Sequence, residues 1–343
     1  MNIAVLVCSN GLGHTRRVIA IAEFMFKNGF DGKLHAFMPK DYLEKLKSWD
    51  SCRYFVNHPN IRISDFHYPK ESSEKTNDLY AKDWQSINLP NLEIYDKVWS
   101  DNILQVLEFR PDAKITGSFL WHEVFDNIEN SKGLNEFIQS QKRILSEFKP
   151  QMAGNEYFAT PEVKTKTEFF PVGLYRYSGL LKEKTGKGIL IACGLGGEEE
   201  EFFRRTVLEI IKNNLRPPGK LFVEPRLLPT EFPEWIEMAT FSAEMFHECA
   251  AVCIRPGMGT LSDALVNHSR VFAFSNQYSF EMLHNSSVLE EMNVGEKCET
   301  PMVAYLKAIV FVSSEENIKH QMLKTMHLRT DGVYATVNFI LKK

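Results

Sequence analysis

The feature that most constrains the fold is a strand, a glycine-rich turn and a helix that follow one another twice along the chain. Near the N-terminus the apolar run 3–8 leads into the turn Ser9–His14 and then into a helical pattern of apolar residues. In the second half the apolar run 188–193 leads into Gly194–Gly197 and the amphipathic segment 198–214. Strand, turn, helix and strand in this order are typical of a parallel sheet. The sequence therefore predicts an α/β protein with two similar halves.

The length agrees with two halves, because 343 residues correspond to about two domains of ordinary size. Several glycines and lysines separate the second apolar run from the first half, and a stretch of this composition indicates a linker. We predict one Rossmann-like domain at 1–172, a linker at 173–187 and a second Rossmann-like domain at 188–328. A terminal helix within 329–343 is expected to pack back on the first domain.

The other elements are less clear from the pattern. In the first half we predict strands and helices alternating, with strands at 33–38, 61–65, 113–119, 150–154 and 166–171 and helices at 91–109 and 132–148. In the second half we predict further strands and helices, with strands at 220–224, 238–241, 250–254 and 270–274 and helices at 243–248, 259–267, 280–292, 315–327 and 332–341. The polar and aromatic stretch 66–99 is either an acceptor surface or an ordinary insertion with core aromatics.

Composition limits the possible partners. The chain has 40 basic and 44 acidic residues, a net charge of -4 and a pI near 6.2, so nothing in its overall charge favours nucleic acid. Its six cysteines are scattered without metal-ligand spacing, which favours a reducing compartment and no metal site. No apolar run is long enough to span a membrane. We expect a cytoplasmic protein. Peripheral contact with the inner membrane face is left open, through Phe24, Phe26, Lys27 and Phe30 or through the segment 66–99.

The first candidate site is the segment Gly11–Arg17. Glycines between a strand and a helix let the backbone approach a ligand, and the helix start offers N–H groups to an anion. Gly11, Gly13 and Arg17 are therefore candidate substrate-binding residues. His14 is the candidate general base, because a neutral imidazole can take a proton from a hydroxyl near neutral pH. The alternative is a histidine that only caps the helix or faces solvent.

The second candidate is the turn after the strand 188–193. Gly196 and Gly197 would contact a ligand through their backbone, or would serve only as a tight turn. The turn lacks the Gly-Lys-Ser/Thr ending of nucleotide triphosphatases, so ATP hydrolysis is not indicated.

The third candidate, Arg255–Asp263, follows the predicted strand 250–254 and should lie at the carboxyl edge of the second sheet, where such sheets bind ligands. Its members offer backbone N–H groups, a hydroxyl and a cation to a pyrophosphate, and an acid to ribose hydroxyls. We assign the first role to Arg255, Gly257, Gly259 and Thr260 and the second to Asp263. The alternative is a capped surface helix.

The fourth candidate, Ser275–Asn285, follows the strand 270–274 and enters another helix. Gln277 and Glu281 are the polar groups that we assign to sugar hydroxyls. Asn285 lies four residues after Glu281 and so shares its helix face. The alternative is a helix cap with a solvated glutamate.

In the order and spacing of these motifs, the chain resembles the GT-B glycosyltransferases, particularly family 28, which includes the lipid II-forming N-acetylglucosaminyltransferase. The Gly-x-Gly-His-x-x-Arg pattern of Gly11–Arg17 is closer still to related bacterial and archaeal glycosyltransferases. The resemblance implies two Rossmann-like domains facing across a cleft, with the acceptor in the first and the sugar nucleotide mainly in the second. It gives His14 the role of base, Asp263 that of ribose ligand and Glu281 that of sugar ligand.

The chain departs from the family at two places. Met282 stands where a Gln next to the acid is usual, which puts recognition of a glucose-like sugar in doubt. The strand at 113–117 ends in Gly117-Ser118, where related enzymes often carry an Asp that orients the His. We expect His122 or Glu123 as the substitute for that Asp.

The resemblance implies an inverting, metal-independent transfer of a sugar from a nucleotide-sugar donor, with UDP as the default, to a sugar, lipid-linked or other hydroxyl acceptor. Cell-surface glycan or glycolipid synthesis would be a fitting role. It implies no cofactor, since the nucleotide sugar is a substrate, and it leaves the oligomeric state open. The same Gly11–Arg17 motif is similar to the UDP-sugar hydrolase of pseudaminic acid synthesis, so hydrolysis is one alternative. A non-catalytic sugar-nucleotide-binding subunit is the other.

Overall fold

The computed structural model describes residues 1–9, 11–47, 49–68, 88–126, 132–175, 186–194, 199–275 and 279–342. The chain forms two compact units, Met1–Gly173 with Asp331–Lys343 and Leu174–Thr330. Each unit is built on its own parallel sheet.

The sheet of the first unit has seven described strands, all parallel, in the order β3-β2-β1-β4-β5-β6-β7. The strands are β1 (Asn2–Val7), β2 (Lys33–Met38), β3 (Ile61–Asp65), β4 (Lys97–Asp101), β5 (Lys114–Thr116), β6 (Gln151–Asn155) and β7 (Glu168–Val172). Ile3 to Val7 are fully buried, as expected for a strand covered on both faces. This explains why β1 is a continuous apolar run rather than an alternating one.

The helices of the first unit are α1 (Leu12–Lys27), α2 (Lys40–Lys45), α3 (Asp50–Asn57), α4 (Trp121–Phe125), α5 (Lys132–Phe148), α6 (Pro161–Lys166) and the terminal α13 (Gly332–Leu341), with a 3-10 helix at Leu104–Glu108. The terminal helix contacts α1 and the strands β5 to β7. Lys97 Nζ donates to the carbonyl oxygens of Ile340 and Leu341, at the negative end of that helix. The last segment of the chain is therefore part of the first unit.

The sheet of the second unit has six described strands, all parallel, in the order β10-β9-β8-β11-β12-β13. The strands are β8 (Gly188–Ala192), β9 (Leu221–Val223), β10 (Ile236–Met238), β11 (Cys249–Ile254), β12 (Arg270–Ala273) and β13 (Gly295–Lys297). The helices are α7 (Glu199–Lys212), α8 (Ala243–Glu248), α9 (Met258–Val266), α10 (Phe280–Glu291), α11 (Pro301–Val312) and α12 (Glu315–Thr325), with a 3-10 helix at Pro225–Leu227. The predicted α/β class with two parallel sheets is confirmed.

The predicted helix at 91–109 is wrong. The segment contains the strand β4 and the 3-10 helix, joined by Asn102, whose φ of 61° ends the strand abruptly. Val98 and Trp99 are buried in the sheet, so their apolar character reflects a central strand rather than one face of a helix. The predicted elements do not include α11 or β13.

Phe24 and Phe26 of α1, which the sequence offers for a membrane-facing patch, contact other side chains of the first unit. Phe26 is buried and packs against Phe30 and His58, and Phe24 packs edge-on against Tyr334. The described part of the chain contains no helix with the length and apolarity needed to cross a membrane.

The six cysteines are all buried and reduced.

Candidate functional site

The first candidate site lies at the point where the strand order of the first sheet reverses. The strand β1 lies between β2 and β4, and chain connections leave it in opposite directions. Ligands bind open α/β sheets at such switch points, beyond the carboxyl ends of the strands. Here the turn after β1 and the last residue of β4, Asp101, come together at this edge.

The turn after β1 is held by neighbouring backbone and side chains. Tyr42 donates its hydroxyl to the Ser9 carbonyl at 2.6 Å, and Ser9 and Tyr68 exchange two further hydrogen bonds. Gly11 has a φ of 109°, a conformation that favours glycine, and it precedes α1 without a side-chain cap. Gly11 and Gly13 are both accessible, and a Cβ on either would meet no atom within 4 Å. This part of the turn has room for a ligand close to its backbone.

His14, in the first turn of α1, faces Asp101 across the switch point. The distance from His14 Nδ1 to Asp101 Oδ1 is 2.5 Å, and both side chains are buried, His14 at 9% and Asp101 at 0% exposure. The ring of Phe119 packs edge-on against the imidazole. The histidine is thus fixed by a carboxylate from the neighbouring strand.

Asp101 accepts hydrogen bonds from three further donors. Arg17 Nε donates to Oδ2 and Arg17 Nη2 to Oδ1, both at 2.7 Å, and the Thr116 hydroxyl donates to Oδ2 at 2.9 Å. Burial alone would raise the pKa of Asp101, but the charge of Arg17 and the hydrogen bonds from His14 and Arg17 outweigh it and hold the pKa at about 2. The carboxylate is therefore ionised at neutral pH.

The ionised state of Asp101 decides which nitrogen of His14 carries the proton. A carboxylate can only accept hydrogen bonds, so Nδ1 of the imidazole must be the protonated nitrogen that donates to it. In a neutral imidazole the other nitrogen, Nε2, then keeps its lone pair. Within the part of the chain that the structure describes, Nε2 has no hydrogen-bond partner. This is the arrangement of a histidine poised to accept a proton from a substrate.

The expected partner of His14 in the region 117–123 is wrong. Glu123 accepts hydrogen bonds from Leu120 N and the Thr160 hydroxyl, both at 2.8 Å, and His122 Nε2 pairs with Glu162. Neither reaches His14. The partner of His14 is Asp101, at the end of β4. The short run Val98-Trp99-Ser100 before this acid could have indicated a strand, but it lies within the predicted helix 91–109.

Arg17 also differs from its expected role. It was assigned to a substrate anion, but its side chain is buried and its Nε and Nη2 both bind Asp101. The guanidinium contributes to the internal structure of the site. Arg16, the neighbouring cation, lies over the ring of Trp49.

The second candidate site lies at the corresponding switch point of the second sheet, where β8 lies between β9 and β11. The segment Arg255–Gly257 leaves β11 at this edge, and Gly194 follows β8 with a φ of 62°. Gly257, Gly259 and Thr260 are partly exposed at the start of α9, which has nine residues and no acidic residue in its first turn. Such a helix start can accept a phosphate.

The helix α10 supports this helix start. Asn285 of α10 is fully buried and its Nδ2 donates to the Pro256 carbonyl at 2.8 Å, while its Oδ1 has no partner among the described residues. A Cβ on Gly257 would lie 3.9 Å from Met282 Cε. Asn285 thus fixes the loop rather than presenting its amide on an exposed face. Glu281, one turn earlier, is partly exposed.

Asp263 does not occupy the accessible position that the ribose assignment requires. It lies in α9 with only 1% of its surface exposed, among residues 261–266 that are all buried. The helix is accessible at its start, at Gly259 and Thr260, and is buried on all sides from Leu261 onward. The acid is therefore part of the interior of the second unit.

The turn after β8 already holds an anion of the protein itself. Glu224 Oε2 accepts hydrogen bonds from Cys193 N and Gly194 N, both at 2.9 Å, and its carboxylate pairs with Arg226. These two N–H groups are satisfied internally. Gly196, Gly197 and Gln277 lie outside the described residues. Arg255 Nε lies 3.7 Å from Glu199 Oε1 and is about a quarter exposed, beside the start of α9.

Comparison with known proteins gives a consistent fold. No protein-family model matches the chain. An uncharacterized glycosyltransferase of Methanosarcina acetivorans is 22% identical, over the whole of this chain and 96% of its own length.

Solved structures agree along the full length. The glycotransferase of kitacinnamycin matches with a TM-score of 0.65 and 11% identity, covering 99% of this chain and 97% of that one. The spinosyn rhamnosyltransferase SpnG, solved with thymidine diphosphate, matches with a TM-score of 0.64 and 11% identity over all of both chains. LpCGTa, solved with UDP, matches with a TM-score of 0.65 and 12% identity, over 99% and 98% of the chains. The chain has the GT-B fold of glycosyltransferases.

Proposed function

We propose that the protein is a glycosyltransferase that moves a sugar from a nucleotide-sugar donor to a hydroxyl acceptor. The observation that carries this proposal is the buried His14–Asp101 pair at the first switch point, with Nε2 of the histidine available. The GT-B fold and the uncharacterized glycosyltransferase of Methanosarcina acetivorans support it.

In the proposed reaction, His14 Nε2 takes the proton of the acceptor hydroxyl as the oxygen forms its bond to the anomeric carbon. The bond from that carbon to the nucleotide diphosphate breaks from the opposite face, so the configuration inverts. Asp101 stabilises the imidazolium that forms and holds it in the required orientation. The proton leaves His14 to solvent after the product departs.

The second unit would bind the donor. The start of α9, with Gly257, Gly259 and Thr260, would bind the diphosphate, and Arg255 would add a positive charge beside it. Glu281, which is partly exposed in the first turn of α10, would bind the donor sugar. UDP and thymidine diphosphate are the nucleotides in the structures of LpCGTa and SpnG, so UDP- and dTDP-sugars are the first donors to test.

The acceptor would be a hydroxyl compound. A plant relative by fold, UGT89C1, was solved with quercetin, at a TM-score of 0.57 and 10% identity. Lipid-linked sugars and glycolipids are the acceptors that a role in cell-surface glycan synthesis would require. An acceptor panel should therefore contain phenolic, sugar and lipid-linked compounds.

The test begins with a thermal-shift screen against UDP, dTDP, GDP and CMP and their sugars. A nucleotide at 100 times its Kd should stabilise the protein by about 2.7 kcal/mol. Transfer is then measured with the nucleotide sugar that binds. We expect His14→Ala to reduce the transfer rate by about 10²–10⁴-fold while the nucleotide Kd is unchanged. Full transfer by His14→Ala would contradict the assignment of the base.

Hydrolysis of the donor is a second candidate, because an available Nε2 can take a proton from water as readily as from a sugar hydroxyl. Incubation with a nucleotide sugar and no acceptor separates the two reactions. Stoichiometric release of free sugar, dependent on His14, would favour a hydrolase. Nucleotide binding with neither release nor transfer would favour a binding subunit.

A further inference from the structure

Arg17 holds a position in the first site that the proposed reaction does not yet use. Its guanidinium is buried, and it contacts both oxygens of Asp101 in a fork, from Nε to Oδ2 and from Nη2 to Oδ1. The same Nη2 lies 3.2 Å from His14 Nδ1. The three side chains are thus in mutual contact.

The fork fixes the orientation of the carboxylate. Two parallel hydrogen bonds from one planar group leave a carboxylate little freedom to rotate. The Oδ1 atom that receives Arg17 Nη2 is also the atom that faces His14 Nδ1. The remaining side-chain donor, Thr116, is itself held by Trp99 Nε1 at 2.9 Å. Rotation of Asp101 would therefore break bonds on several sides at once.

The positive charge of Arg17 compensates the negative charge of Asp101. With a neutral imidazole, the buried cluster of Arg17, Asp101 and His14 has no net charge. When His14 takes a proton, the cluster carries one positive charge with little access to water. His14 and Arg17 are the titratable or charged groups that act on Asp101, from α1, and β5 contributes the neutral Thr116. Arg17 thus limits how strongly Asp101 can favour the imidazolium.

We propose that Arg17 is a positioning residue of the proposed transfer reaction, which orients Asp101 toward His14 Nδ1 and limits how strongly that carboxylate favours the imidazolium. This inference rests on the proposed function for its chemical consequence. The arrangement of the three side chains can be tested without any substrate.

The experiment uses the full chain labelled with 15N-histidine, and follows His14 by two-dimensional NMR against pH. The His14 resonance is assigned by its loss in His14→Gln. In the wild type we expect the Nδ1–H tautomer. In Arg17→Met, the uncompensated carboxylate should favour the imidazolium and move the His14 titration midpoint up by about one pH unit or more. An unchanged midpoint would overturn the proposed charge effect.

Arg17→Lys separates the effect of the positive charge of Arg17 from the effect of its hydrogen-bond geometry. It also tests the orienting role if Arg17→Met does not fold. Lysine keeps the positive charge without the fork, so the midpoint should stay near the wild-type value while the Nε2–H tautomer gains population. A wild-type tautomer in Arg17→Lys would overturn the orienting role. Arg16→Gln is the matched control, since it removes one positive charge from the adjacent position, over Trp49, and should leave both readings unchanged.

Kinetics connect this result to the proposed function. If transfer is found, the acid limb of kcat/KM in Arg17→Met should move to higher pH by the same amount as the NMR midpoint, with the nucleotide Kd unchanged. An acid limb that stays in place while the midpoint moves would show that His14 is not the base. A midpoint that stays in place would contradict the role of Arg17 alone.

Discussion

Asp101 is the residue on which the first site depends. It is fully buried, yet it stays ionised because one cation and three kinds of donor surround it. Removing one partner from such a group leaves a buried charge uncompensated, which typically costs about 3–5 kcal/mol. The site therefore combines the proposed catalytic role with a large contribution to stability, and variants must be examined for both.

Low pH should reduce the folding stability of the first unit, because Asp101 becomes protonated. The folded-state pKa, about 2, lies below the ordinary 3.8, so the carboxylate contributes stability above pH 4 that is lost as the pH falls from 3.8 through 2. The difference in unfolding free energy between the wild type and Asp101→Asn should shrink by about 2 kcal/mol between pH 6 and pH 2. Urea denaturation at several pH values measures it. A difference that stays constant would contradict the prediction.

Glu123 should reduce the folding stability as the pH rises, which is opposite to the effect of Asp101. Burial raises its pKa to about 7, against the hydrogen bonds from Leu120 and Thr160. The folded state therefore holds the proton longer than the unfolded chain, and the stability present below pH 4.5 is lost as the pH rises through 7. Glu123→Gln keeps an acceptor for both donors and removes this loss.

Between pH 4.5 and pH 8.5, the wild type should lose about 2–3 kcal/mol more unfolding free energy than Glu123→Gln. Thermal or urea unfolding at the two pH values provides the measurement. The exposed Glu168→Gln serves as the control and should show no such difference from the wild type. Parallel pH dependences of wild type and Glu123→Gln would rule out the effect.

At the scale of elements, the start of α9 is the part of the second unit that the proposed function uses. Gly257 has ordinary backbone angles, and a Cβ there would make only a van der Waals contact with Met282. Gly257→Ala should therefore leave the thermal stability nearly unchanged. It should weaken nucleotide binding by at least about tenfold, because the added methyl would stand where a phosphate must approach the backbone.

Titration with the nucleotide identified in the thermal-shift screen tests this prediction. Ser287→Ala is a suitable control, since Ser287 is exposed on α10 and bonds only to the Leu283 carbonyl. Wild-type affinity in Gly257→Ala would show that the diphosphate is not bound at this loop.

The strand β4 shows where sequence reasoning fails at this scale. Its five residues are too few to establish a period, and its apolar residues fit a helix as well as a strand. The longer elements α1 and α5 were predictable, because their patterns extend over more residues. Because a predicted helix covers this strand, the sequence pattern does not place Asp101 at a strand end, where it could meet His14.

At the scale of the molecule, the terminal helix α13 completes the first unit. Val337, Phe339 and Ile340 are buried, and Phe339 stacks on Phe170 of β7. Truncation after Thr330 should lower the unfolding free energy of the first unit by about 5 kcal/mol, as burial of a large apolar side chain contributes about 1.5–3 kcal/mol.

Hydrogen exchange measured separately for peptides of the two units tests the truncation. Protection should fall in β5 to β7 and remain in β8 to β13. Asn338→Ser, at an exposed position of the same helix, is the control and should change protection little. Uniform loss in both units would contradict the assignment of α13 to the first unit alone.

The sequence by itself determined the class of the protein, since two strand–glycine–helix units dictate two parallel sheets, and it identified His14 and the loop at Gly257 from local pattern. Only the tertiary structure decided what those residues contact. It paired His14 with Asp101, 87 positions away, placed Arg17 on that carboxylate and buried Asp263. The physical reason is that pattern reports which face of an element is apolar, whereas sheet order and register decide which polar groups meet at the edge.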